Sequence, residues 1–149
     1  MRFTTKTEYG LVCLINLARR YPEQLVSIKD IVKQENFSLT YIEKILQRLR
    51  SANIVISHQG NHGGYALARP PSEIKLKEIV EALEGHTFDV FCAPHIRNEI
   101  VCNHFGLCVL NPIWEKTKAI LDEYYGSVTL EKIANNGTAT SAKNLVTVA

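Results

Sequence analysis

No stretch of this 149-residue chain holds the roughly eighteen uninterrupted apolar residues that a membrane-spanning helix needs. The first residues also lack the apolar core and small-residue cleavage site of a secretory signal. No membrane partner is expected, and the cytoplasm is the expected location. There is no Gly-rich phosphate loop, no nucleophile elbow and no paired metal-binding histidines, which argues against a hydrolytic enzyme or an electron carrier. Internal repeats are absent too. Charge of one sign is scarce: 17 Lys and Arg against 15 Asp and Glu leave +2, so net charge by itself points to no partner. Cysteine is sparse at four residues, yet three of the four fall in one short stretch.

Against these absences stands a 46% hydrophobic content, enough for one good core but not for two in a chain of this length. The charge is unevenly spread. Residues 1–51 carry nine Lys and Arg against five acids, a surplus of four, whereas the rest carries eight against ten. A basic N-terminal third on a nearly neutral chain is expected where one face meets phosphates, although a solvated surface would look similar.

Periodicity predicts a mainly α fold with a small β-hairpin wing: a winged helix-turn-helix followed by a long dimerisation helix. Leu11, Leu14, Ile15, Leu17 and Ala18 recur at helical spacing between Thr5 and Arg20. Ser27 followed by Asp30 reads as a capped helix start, and that short helix runs to about Gln34. Ser38 is placed to cap a third helix with Leu39, Ile42, Ile45, Leu46 and Leu49 on its buried stripe. Two short helices joined by a brief turn fit a helix-turn-helix. Ile54-Val55-Ile56 and Tyr65-Ala66-Leu67, either side of the glycine-bearing loop 59–64, predict a hairpin ended by Pro70-Pro71. A helix over Leu76–Leu83 should stop at Gly85. Residues 86–109 show no sustained period. Asn111 as a cap with Pro112 opens a last long helix to about Tyr125, terminated by Gly126. Ile113, Thr117, Ile120 and Tyr124 form one apolar stripe on it and Trp114, Leu121 and Tyr125 another, more than a small domain covers alone; homodimerisation is the simplest use. The expected organisation is 1–85 DNA-binding domain, 86–110 cysteine-bearing loop, 111–135 dimerisation and C-terminal helices, and 136–149 disordered tail.

In a helix-turn-helix the second helix enters the major groove, so its solvent side decides what is read. That side holds Ser38, Thr40, Tyr41, Glu43, Lys44, Gln47 and Arg48, with Arg50 beyond. Gln47 suits adenine, Lys44 or Arg48 guanine or phosphate, and Glu43 a cytosine amine. One amphipathic helix would look the same with no DNA in view, but the hairpin that follows gives the order of a winged domain. Its tip, Gln59, Asn61 and His62, can lie along the minor groove of double-stranded DNA. Arg2, Thr4 and Lys6 add polar and basic groups at the N-terminus.

Met1-Arg2-Phe3-Thr4-Thr5-Lys6 with Glu8-Tyr9-Gly10-Leu11, the run Ser38 to Leu49, the wing Gly60-Asn61-His62-Gly63-Gly64-Tyr65, and Thr129-Leu130-Glu131-Lys132-Ile133 together resemble the IscR/NsrR/CymR family of bacterial regulators, from Met1 to about Asn135. The resemblance implies a homodimer on a near-palindromic operator, acting mostly as a repressor. Many members place an arginine just before the wing glycine. Here Gln59 stands there, with His58 and His62 nearby.

Cys92, Cys102 and Cys108 are separated by nine and five residues. Taken alone they leave open scattered loop cysteines, structural zinc or an iron-sulfur cluster, for which soft thiolates are the preferred ligands. The resemblance implies a 2Fe-2S or 4Fe-4S cluster, since the iron-sulfur branch has three cysteines between the fourth helix and the dimer helix. IscR-like members supply a histidine three residues past the last cysteine, where this chain has Asn111. NsrR-like members use an N-terminal carboxylate from across the dimer, which implies Glu8 of the partner subunit. A further branch adds a histidine where Val12 stands. His95 and His104 are fallback ligands. Cys13, on the first helix's apolar stripe, reads as a small buried hydrophobe. A metal-free thiol- or partner-controlled regulator of the same fold is the competing reading.

Overall fold

The computed structural model describes residues 4–60, 62–90 and 107–139. Among these lie six helices and one hairpin: α1 (Thr5–Ala18), α2 (Ile28–Glu35), α3 (Leu39–Ser51), β1 (Val55–His58), β2 (Gly64–Leu67), α4 (Leu76–Glu84), α5 (Asn111–Ser127) and α6 (Leu130–Ala139). The mainly α winged helix-turn-helix expected from periodicity is the fold observed.

The apolar stripes converge on α1. Leu14 and Leu17 of α1, Ile31 of α2, and Ile42, Ile45, Leu46 and Leu49 of α3 are almost fully buried, with Ile79 and Leu83 of α4 and Leu130 of α6 closing the other side. Burying a side chain of this size stabilises by about 1.5–3 kcal/mol, so this set is the main cohesive term. α1 comes so close to α4 that a Cβ on Gly10 would lie 2.4 Å from Leu83 Cδ1.

Local chemistry sets the ends. Ser27 Oγ accepts from the Asp30 N–H at 3.1 Å, the N-cap bond of α2, and donates to Asp30 Oδ2 at 2.7 Å, a side-chain bond that holds the cap in place. Asn36 leaves α2 in the left-handed conformation, φ 55°, which asparagine tolerates. β1 and β2 pair antiparallel from Val55↔Leu67 to His58↔Gly64. Val26, ahead of α2, joins β2 through two hydrogen bonds with Tyr65, each 2.9 Å. Gly64 permits this approach, because a Cβ there would lie 2.8 Å from the Val26 carbonyl oxygen.

Several expected ends differ. α1 stops at Ala18, two residues short of Arg20. Ser38 occupies the N-cap position of α3 but makes no side-chain cap bond; its carbonyl takes the Tyr41 and Ile42 N–H groups instead. Asn111 is the first residue of α5 rather than its cap. Leu110 fills that place with its carbonyl, and Asn111 Nδ2 donates to Glu115 Oε1 at 2.8 Å. Gly126 lies inside α5, which ends at Ser127 because Val128 turns extended and its carbonyl accepts from the Leu76 N–H at 2.9 Å. Tertiary pairing, not glycine, stops that helix. α6 continues to Ala139, into the segment expected to be a disordered tail. No helix among the described residues is long and apolar enough to cross a membrane.

Candidate nucleic-acid interface

The recognition face assembles because α3 buries Ile42, Ile45, Leu46 and Leu49 along one side, while Leu39, expected on the same stripe, stays 42% exposed at the first position of the helix. Ser38, Thr40, Glu43, Lys44, Gln47 and Arg48 are thereby left exposed on the opposite side. The first turn of α3 holds no acid, so the positive end of its dipole is unopposed. Past α3 the hairpin brings Gln59 and His62 to an exposed tip, with His58 exposed at the end of β1. Helix face and wing tip belong to one contiguous stretch of chain, as groove-and-wing binding requires.

Not every residue expected at DNA is free to face it. Tyr41 is half-buried; its hydroxyl lies 2.9 Å from Thr5 Oγ1 and its ring meets Tyr9 edge-on, centroids 5.7 Å apart. Tyr9 in turn stacks on Phe37 at 4.0 Å. Tyr41 is therefore a strut between α3 and α1. Arg48 donates from Nη1 to the Leu83 carbonyl at 3.2 Å, and Arg50 from Nη1 to Ser57 Oγ at 3.0 Å, tying α3 to α4 and to the wing. Lys44 is the one cation of α3 without a partner among the described residues.

Thr4 and Lys6 are also engaged. Glu84, at the end of α4, accepts from the Thr4 N–H at 3.1 Å and hydroxyl at 2.6 Å and from the Thr7 hydroxyl at 2.7 Å, while Lys6 Nζ lies 3.3 Å from its other oxygen. Burial pushes the Glu84 carboxyl up, but these hydrogen bonds outweigh it and hold it at about 2. Sequence reasoning missed Glu84 altogether. Nothing local signals a contact formed 77 to 80 residues away.

Of the metal candidates, Cys108 is a free, half-buried thiol just ahead of α5, and Glu8 is exposed in the first turn of α1. Cys13 is wholly buried. Burial pushes its thiol up to about 12, the Glu35 carboxylate adding to the effect, so it stays protonated and chemically inert. Cys92, Cys102, His95, His104, Arg2 and Asn61 lie outside the described residues. On α5 the stripe Ile113, Ile120 and Tyr124 is exposed, whereas Trp114 and Leu121 are half-buried and Tyr125 is buried against the body.

A family model described as an iron-dependent transcriptional regulator, Rrf2, matches residues 3–136. The chain is 36% identical over 121 residues to the protein rrf2 of Nitratidesulfovibrio vulgaris, covering 80% of this chain and 79% of that one. Among solved structures it resembles IscR of T. potens, with a TM-score of 0.72 and 31% identity over 97% of this chain and 94% of the other. It also resembles CymR of B. subtilis, described as the global cysteine regulator, with a TM-score of 0.72 and 30% identity over 91% and 98% of the two chains.

Proposed function

Because this chain belongs to the Rrf2 family of transcriptional regulators, which bind DNA and are not enzymes, we propose that it acts as a cytoplasmic homodimer that represses from a near-palindromic operator under the control of an iron-sulfur cluster. The reading face of α3, flanked by the wing, supports the DNA part. Gln47 and Lys44 read base edges, Ser38 and Thr40 take phosphates, and Gln59 and His62 follow the minor groove. Glu43 rejects wrong positions by repulsion. The exposed stripe of α5 supports dimerisation, since an apolar face of three large side chains on one helix is poorly tolerated in water.

Cys92, Cys102 and Cys108, with Glu8 of the partner subunit, would hold the cluster. The described donors fit: Cys108 is free, and Glu8 has no side-chain partner among the described residues. Asn111 is committed to Glu115, which takes it out of the donor set. The cluster, when bound, would supply a centre sensitive to nitric oxide, oxidants or iron supply. A carboxylate drawn from α1 links that centre to the helix against which α3 packs, so the two DNA-binding states differ in energy with the state of the loop. Anaerobic purification with visible absorption and iron and sulfide assays tests this. Colour should vanish in Cys108→Ala and weaken in Glu8→Ala but persist in Asn111→Ala. A colourless, iron-free protein would eliminate the reading.

A second reading, thiol control without metal, is favoured by the likeness to the cysteine regulator CymR and by the accessible Cys108 thiol. It requires a colourless protein whose operator affinity still responds to a thiol oxidant.

A further inference from the structure

The last residue of α4 is an acid at the pole of a helix that least favours one. That residue is Glu84, and no base in the last turn of α4 offsets it. Its carboxylate reaches instead to the start of α1, the pole that favours negative charge. Thr4 is the N-cap of α1 and Thr7 its third residue. In a capping box the third residue would be an acid reaching back to the N–H of the cap. A threonine stands there, and Glu84 supplies the missing acceptor from another helix, at 3.1 Å from the Thr4 nitrogen.

The residue before it makes a second grip. The Leu83 carbonyl holds Arg48 of α3, while Thr5, within the turn that Glu84 fixes, meets Tyr41 of α3. Two adjacent residues at the end of α4 thus hold the reading helix by two routes, one direct and one through α1. We propose that Glu84 is a positioning residue for operator binding: a helix cap delivered in trans that sets how α3 presents itself to the groove. The proposal rests on α3 being the helix that enters that groove. Past Glu84 the chain runs through Gly85 into the cysteine-bearing segment.

The sign of the effect separates this from simple electrostatics. Removing an acid from a DNA-binding protein should tighten its hold on any duplex. The full-length chain is tested by fluorescence anisotropy at fixed salt, on an operator duplex selected from a random pool by the wild-type protein and on a scrambled duplex. Glu84→Ala should weaken operator binding about tenfold and leave scrambled binding equal or tighter. Glu84→Gln carries the same charge change but keeps an acceptor, and should recover most of the loss. Operator binding that is unchanged or tighter in Glu84→Ala overturns the proposal, as does equal behaviour of the two variants or an equal loss on scrambled DNA. If circular dichroism finds Glu84→Ala unfolded, Thr7→Val removes one donor at nearly constant volume and should cost about threefold on the operator alone. No change there overturns it equally. A wild-type protein that selects no sequence from the pool would defeat groove reading by α3 as well, which sets that failure apart from the others.

Discussion

Gln47 stands exposed on the third turn of α3, its side chain without a partner among the described residues, while its carbonyl accepts from Ser51 Oγ at 3.0 Å. A free carboxamide in that place is suited to adenine, and Gln47→Ala is expected to cost about 1–3 kcal/mol at one operator position and little at the others. Affinity measured across single-base operator variants checks this, and a uniform loss would make Gln47 a phosphate contact instead. Glu84 makes a prediction of another kind. Its carboxyl is held at about 2 in the folded chain against an ordinary 4.5. Its contribution to stability is therefore complete above about pH 5 and disappears as pH falls toward 2. Urea midpoints measured across that range should fall less steeply in Glu84→Gln than in wild type; parallel curves would contradict the assignment.

Most of the elements were legible because each carries its own period. The stripes of α1, α3 and α4 fall where 3.6-residue spacing puts them, save for Leu39, which is exposed at the start of α3, and Ser27 with Asp30 announces the start of α2. What was not legible depends on partners far along the chain. Asn111 and Gly126 look like a cap and a stop, yet Leu110 caps α5 and the pairing of Val128 with Leu76 ends it. Thr4 and Lys6 look like groups for DNA, yet Glu84 holds both. The glycines of the wing could be foreseen as a turn, but not the seam between Val26 and Tyr65. That seam gives a test: Gly64→Ala drives a methyl into the Val26 backbone and should destabilise by about 1–3 kcal/mol, read as a lowered melting temperature. An unchanged melting temperature would mean the seam can open without cost.

As a whole the molecule presents two unlike surfaces, a polar face on α3 with the wing and an apolar stripe on α5. Ile113, Ile120 and Tyr124 are each more than half exposed. A stripe of this kind is expected to pair with a copy of itself about a two-fold axis, which would also give the reading helices the symmetry of a palindrome. Ile120→Asp should convert the dimer to monomer in sedimentation experiments and weaken binding to a full operator far more than to a half-site. A wild-type protein already monomeric at micromolar concentration would remove the basis for that expectation.

The two hydrogen bonds of Arg48 and Arg50 bear on how such a molecule would meet a duplex. Neutral acceptors leave both exposed guanidinium groups charged and with donors to spare, so both can still draw phosphates. Because each is already anchored through Nη1, it has less side-chain freedom left to lose when a phosphate arrives.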